Sequence, residues 1–173
     1  MKIVIVVPPK DFRDETLSNA ELYLDKKGIE HQLASFSKKE CMGSHGAVRK
    51  QDLSADTMEP ADYAAILLLD GQGVDEFRLF EHRPLLDRVK GFYDSKKLIG
   101  GIGNALKIIA KANIVKETKL AGIDDEEASR LVRLYKGVPS DDAVVLDKNI
   151  ITAADNSQLF EFINKFAEQL GAV

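Results

Sequence analysis

Strand-length apolar runs alternate with segments of helical period along nearly the whole 173-residue chain, and few folds accept that order. "KIVIVV" (Lys2–Val7) is almost continuously apolar and β-branched, as a strand covered on both faces requires. Pro8 and Pro9 end it. A helix is expected from Asp11, a capping residue, with Leu17, Ala20 and Leu24 on one stripe and Gly28 as its stop. "IEHQLAS" (Ile29–Ser35) alternates as a second strand, and Ala64–Leu69 and Lys97–Ile102 are two more. Helical segments are expected at Ala105–Ala112, Asp125–Tyr135 and Gln158–Leu170, with a hairpin turning at Asp147–Asn149. Phe36–Leu53 carries no clear period and is expected to be a loop. Alternation on this scale implies one α/β domain over residues 1–173, a mostly parallel sheet with helices on both faces.

Ligands of such sheets sit outside the carboxyl ends of the strands, where the strand order reverses. Four segments therefore matter: Pro8–Glu15, Asp70–Gly73, Ile102–Asn104 and the stretch after Leu120.

Charge and composition narrow the partners. The net charge is −4 and the lysine pairs are scattered, so no basic face is available for nucleic acid. The apolar N-terminal run is too short for a signal peptide or a membrane span, and no later stretch is long enough to cross a bilayer. A cytoplasmic location is expected. The single cysteine, Cys41, excludes an internal disulfide and a cysteine-rich zinc site; no metal or cofactor is expected.

The segment "KLIGGIGNAL" (Lys97–Leu106) is a buried strand entering a helix through a glycine-rich corner. Its Gly101-x-Gly103 spacing is part of a dinucleotide fingerprint, but Leu106 stands at the third glycine and the motif follows a late strand. The better fit is a nucleophile elbow, with Gly103 at the apex where backbone strain normally falls on the reactive residue. Glycine lacks the Cβ that makes such a position costly. It also lacks anything that could attack. Other candidate groups are Cys41 with His45 in the expected loop, and Glu15, which in the first helical turn also suits the helix dipole.

Four stretches in the same order resemble the PfpI family, the intracellular proteases and parkinsonism-associated deglycases of the class I glutamine-amidotransferase-like superfamily. "VVPPKDFRDETL" resembles the family's first strand and acid-bearing helix start, and "DYAAILLLDGQG" its strand leading to a Pro-Gly-Gly turn. "KKLIGGIGNALKIIAKANIV" resembles its elbow and following helix, and "VVLDKNIITAADNSQLFEFI" its closing hairpin and helix. The resemblance implies a flavodoxin-like three-layer sandwich and a homodimer or higher homo-oligomer. It places Gly103 where the family has its cysteine nucleophile, Asn104 at the following histidine and Leu106 at the proline. It places Glu15 at the glutamate that hydrogen-bonds the cysteine, and Gln72 at a glycine whose amide helps form the oxyanion hole, with Asp70 in place of proline. The implied remnant site is thus Glu15, Gly103 and Asn104, with Gly71, Gln72 and Asn104 as amide donors. The expectation is a protein without the family's cysteine hydrolase chemistry, binding a small molecule or serving as a scaffold. The alternative is a working hydrolase, peptidase, deglycase or glyoxalase-like, using Glu15 or Cys41.

Overall fold

The computed structural model describes residues 1–37 and 39–171. The expected strand β1 spans Lys2–Val6. A short strand, β2 (Lys10–Phe12), precedes helix α1 (Asp14–Lys26), whose N-cap is Arg13, so the helix starts two residues later than the Asp11 cap predicts. Residues 10–12 are drawn into pairing instead, and Asp11 takes a left-handed φ of 57°. Strand β3 (Glu30–Ser35) follows.

The segment expected as a loop holds strands β4 (Glu40–Gly43), β5 (Val48–Lys50) and β6 (Leu53–Ser54). Together β2, β4 and β5 form a small three-stranded sheet. Its signal was hidden because the inward positions of β4 are Cys41 and Gly43, neither of which reads as an apolar strand residue. Lys38, inside that segment, lies outside the described residues.

The rest follows the alternation: β7 (Ala65–Leu68), α2 (Gln72–Glu76), α3 (Arg83–Asp94), β8 (Leu98–Ile102), α4 (Leu106–Lys111) and β9 (Lys119–Leu120). Then come α5 (Glu126–Leu134), β10 (Val138–Pro139), β11 (Val144–Asp147), β12 (Ile150–Ala153) and α6 (Leu159–Gln169). Asp125 caps α5 by accepting from the Ala128 N–H at 3.0 Å.

The main sheet has seven strands in the order β11-β12-β8-β7-β1-β3-β6, all parallel except the β11–β12 hairpin. Side chains alternate across it. Val4, Val6, Ile66 and Leu68 meet Leu85, Val89, Phe92, Ile108, Ile109 and Leu131 on one side. Ile3, Ile5, Ala65 and Leu67 meet Leu17, Ala20, Leu24, Phe162, Ile163 and Phe166 on the other. Helices α3, α4 and α5 thus cover one face and α1 and α6 the other, the flavodoxin-like three-layer arrangement. Each fully buried phenylalanine contributes about 2–3 kcal/mol through the apolar area it removes from water. No described helix is long and apolar enough to cross a membrane.

From β1 the chain moves to β3 on one side, and later to β7, β8 and β12 on the other. The order therefore reverses between β1 and β3 on one hand and β7 on the other, and the loops leaving β1 and β7 splay apart there.

Candidate functional site

A cavity of about 800 Å³ opens at this reversal. It draws on all four segments that the strand-end argument singled out. Arg13 comes from after β1, Asp70, Gly71 and Gln72 from after β7, Gly103 and Asn104 from after β8, and Gly122–Asp125 from after β9. Two further walls were not anticipated: Ser44 and His45 from the β4–β5 turn, and Ala154 and Asp155 from after β12.

Asp70 is the group at the centre. It ends an unbroken apolar run, so the strand that buries Leu67 and Leu68 carries its carboxyl inward with them; the residue is 5% exposed. Its main chain is fixed by the Arg13 N–H, which donates to the Asp70 carbonyl at 3.1 Å. Its Oδ2 lies 3.4 Å from Arg13 Nε, whose side chain is 47% exposed. Arg13 Nη1 in turn donates to Asn156 Oδ1 at 2.8 Å. Among the described residues, neither Asp70 Oδ1 nor the buried Thr16 Oγ1 has a hydrogen-bond partner of good geometry. Burial pushes the Asp70 pKa above its ordinary value; the nearby Thr16 hydroxyl and the Arg13 guanidinium pull against that rise without cancelling it.

Gly103 makes the turn out of β8 with φ at +56°, in the left-handed region. That is the backbone an elbow apex needs, and glycine adopts it without strain. A Cβ built on Gly103 would lie 3.1 Å from Asp70 Cβ and 3.2 Å from Asp70 Oδ2. The carboxyl thus sits beside the space that a side chain at the apex would enter.

Asn104 locks the neighbouring turn. Its Oδ1 accepts from the Gly71 N–H at 3.2 Å, while its Nδ2 donates to the Gly71 carbonyl at 2.7 Å and to Asp75 Oδ2 at 3.3 Å. Gly71 needs to be glycine for a separate reason: a Cβ there would fall 2.5 Å from the Asp11 carbonyl oxygen and 2.7 Å from Phe12 Cα. Because its N–H is already used, Gly71 is removed from the expected amide donors. Gln72, as the first residue of α2, keeps an N–H that the helix itself cannot satisfy.

Below the rim, Lys107 is nearly enclosed, its side chain 3% exposed. Its Nζ reaches Asp75 at 2.8 Å, Glu127 at 3.0 Å and Asp125 at 3.2 Å. Burial opposes the charge, but the bonds from these carboxylates hold the ammonium pKa above its ordinary value. On the far wall, Asp155 accepts from the Ser157 hydroxyl and N–H, which keep its carboxyl below the usual range. Asp14 holds the β4–β5 turn against α1 by accepting from the His45 N–H at 3.1 Å and the Ala47 N–H at 2.9 Å. Slight burial works against its ionisation, yet those two bonds bring its pKa down.

The remaining candidates fall elsewhere. Glu15 is exposed and does not line the cavity; within the same turn it is Arg13 that faces it, and the buried carboxyl beside the apex belongs to Asp70. Cys41 is not in a loop. It is fully buried in β4, donates to the Arg49 carbonyl at 3.3 Å, and burial pushes its thiol pKa up. His45 reaches the cavity and Cys41 does not, so they form no reactive pair there. A pyrophosphate at Gly101–Asn104 would face the carboxylates of Asp70, Asp75, Asp124 and Asp125, which disfavour it. Sequence reasoning missed Asp70 and Arg13 as a pair. The available signal was a charged residue placed directly after six apolar ones in "AAILLLD".

The cavity is thus lined mostly by polar and charged groups, with the buried carboxyl of Asp70 at its centre. No cysteine is among the residues that line it.

The family model described as DJ-1/PfpI matches residues 1–169. The chain is 32% identical over 161 residues to an uncharacterized protein of Methanocaldococcus jannaschii, covering 92% of this chain and 78% of that one. It is 28% identical over 171 residues to a protein of Pyrococcus horikoshii named as a deglycase, covering 96% and 98%. Among solved structures, a ThiJ/PfpI domain protein from Brachyspira murdochii superposes with a TM-score of 0.91 at 22% identity, covering 99% and 97%. Drosophila melanogaster DJ-1beta superposes with a TM-score of 0.85 at 20% identity, covering 99% and 91%; at these identities the likeness speaks for the fold alone. With its four strand-end segments, its glycine elbow and this full-length match, the chain belongs to the DJ-1/PfpI family.

Proposed function

We propose that this chain is a family member without thiol chemistry, whose elbow cavity binds a small polar molecule reversibly. The observation that carries this reading is Gly103 at the apex, with the Asp70 carboxyl 3.2 Å from where its Cβ would stand. A covalent mechanism needs a nucleophile and an activating neighbour. Gly103 supplies no nucleophile, and Cys41 is committed to the core behind β4. The P. horikoshii relative is named a deglycase. For this chain, removal of glycation adducts should run no faster than in a protein-free control, in the wild type and in Cys41→Ala alike. Amide shifts at Gly71, Gly103 and Asn104 should respond to some member of a polar fragment set. Silence of those amides across the set would refute the binding reading.

A second reading, acid–base catalysis by Asp70, is favoured by the upward push that burial gives its pKa. Turnover that survives Cys41→Ala and disappears in Asp70→Asn would put this reading in place of the first. A cytoplasmic homodimer or higher homo-oligomer completes the proposal. It is supported by Met42 and Val48, an exposed apolar pair facing each other across β4 and β5. A monomer mass in sedimentation would remove the oligomer.

A further inference from the structure

We propose that the ligand of the elbow cavity presents a single carboxylate, and that the guanidinium of Arg13 receives it. This rests on the binding reading above and names its chemistry.

Arg13 is the one fixed cation among the residues that line the cavity. Its place is set at the start of α1, where its N–H is bonded to the Asp70 carbonyl. From there the side chain reaches across to the turn ahead of α6, and Nη1 donates to Asn156 Oδ1 at 2.8 Å. Nε stands 3.4 Å from Asp70 Oδ2. The buried carboxyl therefore holds the guanidinium in position and is not itself the receptor. Anchored at two points, the fork has little freedom left to lose when it takes up an anion.

A guanidinium carries about five N–H donors in one plane. Among the described residues only the Nη1 bond to Asn156 has hydrogen-bond geometry, so the donors of Nη2 have no partner. The side chain is about half exposed, and it lines a cavity of about 800 Å³. Two further donors stand on the adjacent lip. The Ser44 N–H donates to the Phe12 carbonyl at 3.0 Å, which places Ser44 and His45 against the residue before Arg13. The Ser44 hydroxyl and the His45 imidazole belong to the cavity lining and have no hydrogen-bond partner among the described residues. The apex contributes room. A Cβ at Gly103 would come to 3.2 Å from Asp70 Oδ2, the same oxygen that faces Arg13 Nε. The glycine thus leaves open the space next to the fork.

The other charges limit what the anion can be. A planar fork suits a carboxylate and a phosphate alike. Asp75, Asp124, Asp125 and Asp155 line the same cavity, and of these Lys107 answers only Asp75 and Asp125. Each further negative charge on a ligand would be repelled by them. The site therefore selects one carboxylate, alone or balanced by an ammonium on the same molecule, over a dicarboxylate or a phosphate.

The test titrates butyrate and 4-aminobutyrate into the purified protein, in a carboxylate-free buffer of low ionic strength, following the amides of Gly71, Gly103 and Asn104 by NMR. Butyramide is the neutral isostere and succinate the dianion. The expected result is saturable shifts with the two monocarboxylates, and binding about tenfold weaker or less for butyramide and succinate. Affinity for butyrate should fall about tenfold or more in Arg13→Gln, and about two- to fivefold in Asn156→Ala, which frees the fork but leaves its charge. Asn156→Ala also keeps the Arg13–Asp70 contact, so it decides the matter if Arg13→Gln does not fold. Butyramide binding as tightly as butyrate would overturn the carboxylate assignment and leave the cavity as a binding site. Undiminished butyrate binding in the folded variants, or succinate binding as tightly as butyrate, would overturn it too. Silence toward both monocarboxylates would overturn the assignment, and the polar fragment set would then decide the binding reading on its own.

Discussion

Adding one methyl group at the elbow should test the whole account of Gly103, because its cost has two separable origins. Gly103→Ala keeps a residue at φ +56°, where a Cβ costs about 1–2 kcal/mol. It also brings that Cβ to 3.1 Å from Asp70 Cβ and 3.2 Å from Oδ2, closer than ordinary contact. Overpacking of this degree in a fixed surround costs about 1–3 kcal/mol. The alanine stiffens the unfolded chain, returning about 0.4–1 kcal/mol. The net expectation is a loss of about 2–3 kcal/mol. Asp70→Gly removes all the side-chain atoms that the new methyl would meet, so in that background Gly103→Ala should cost only about 1 kcal/mol, the conformational part. The coupling between the two sites is then about 1–2 kcal/mol, well above the few tenths expected of independent positions. Urea denaturation of the wild type, both single variants and the double variant measures it at a shared m-value. Additivity within about 0.5 kcal/mol would refute the claim that Asp70 occupies the neighbourhood of the missing side chain.

Three further outcomes follow from the same contacts. The folded pKa of Asp70 is raised above its unfolded value, so its contribution is fully present below the unfolded pKa and is lost as pH rises through the folded one. Asp70→Asn should therefore gain stability relative to the wild type as pH is raised from acid towards neutral; a pH-independent difference between the two, read by thermal melts, would contradict the burial. Lys107→Met should cost about 2 kcal/mol in urea denaturation by leaving Asp75, Asp125 and Glu127 without their shared cation, a figure kept low because those carboxylates are partly exposed. Cys41 should react with a thiol reagent only as fast as the protein unfolds, since its sulfur is buried and bonded to the Arg49 carbonyl, and rapid labelling under native conditions would contradict that placement.

How much of this was legible beforehand depends on the distance over which each cause acts. The strands and their burial were readable because β1, β7 and β8 are covered on both faces and must be apolar throughout. The position of the cavity was readable for a similar reason, since strand ends and the reversal of their order follow from alternation alone. Glu15 and Cys41 were misplaced because neither position is set by local pattern. Whether Arg13 or Glu15 faces inward depends on where α1 begins, and that is decided by Lys10–Phe12 pairing with β4, a strand whose signal was too short to see. The Asp70–Arg13 contact joins residues far apart in sequence, and no periodicity announces it. What the residues did announce was the irregularity itself, an aspartate after "AAILLL" and a glycine at the apex.

The side chain of Asn104 has a consequence beyond occupying the Gly71 amide. By accepting from the N–H and donating to the C=O of the same residue, its carboxamide plays the part of one more peptide unit, adding a rung where β7 and β8 have already parted. One side of the cavity is thereby cast as a continuation of the sheet and is set before any guest arrives. The opposite lip hangs differently: two amides of the β4–β5 turn, from His45 and Ala47, are gripped by the single carboxylate of Asp14. The two lips are thus held by different means, one by an extension of the sheet's own hydrogen-bond pattern and the other by a carboxylate of α1.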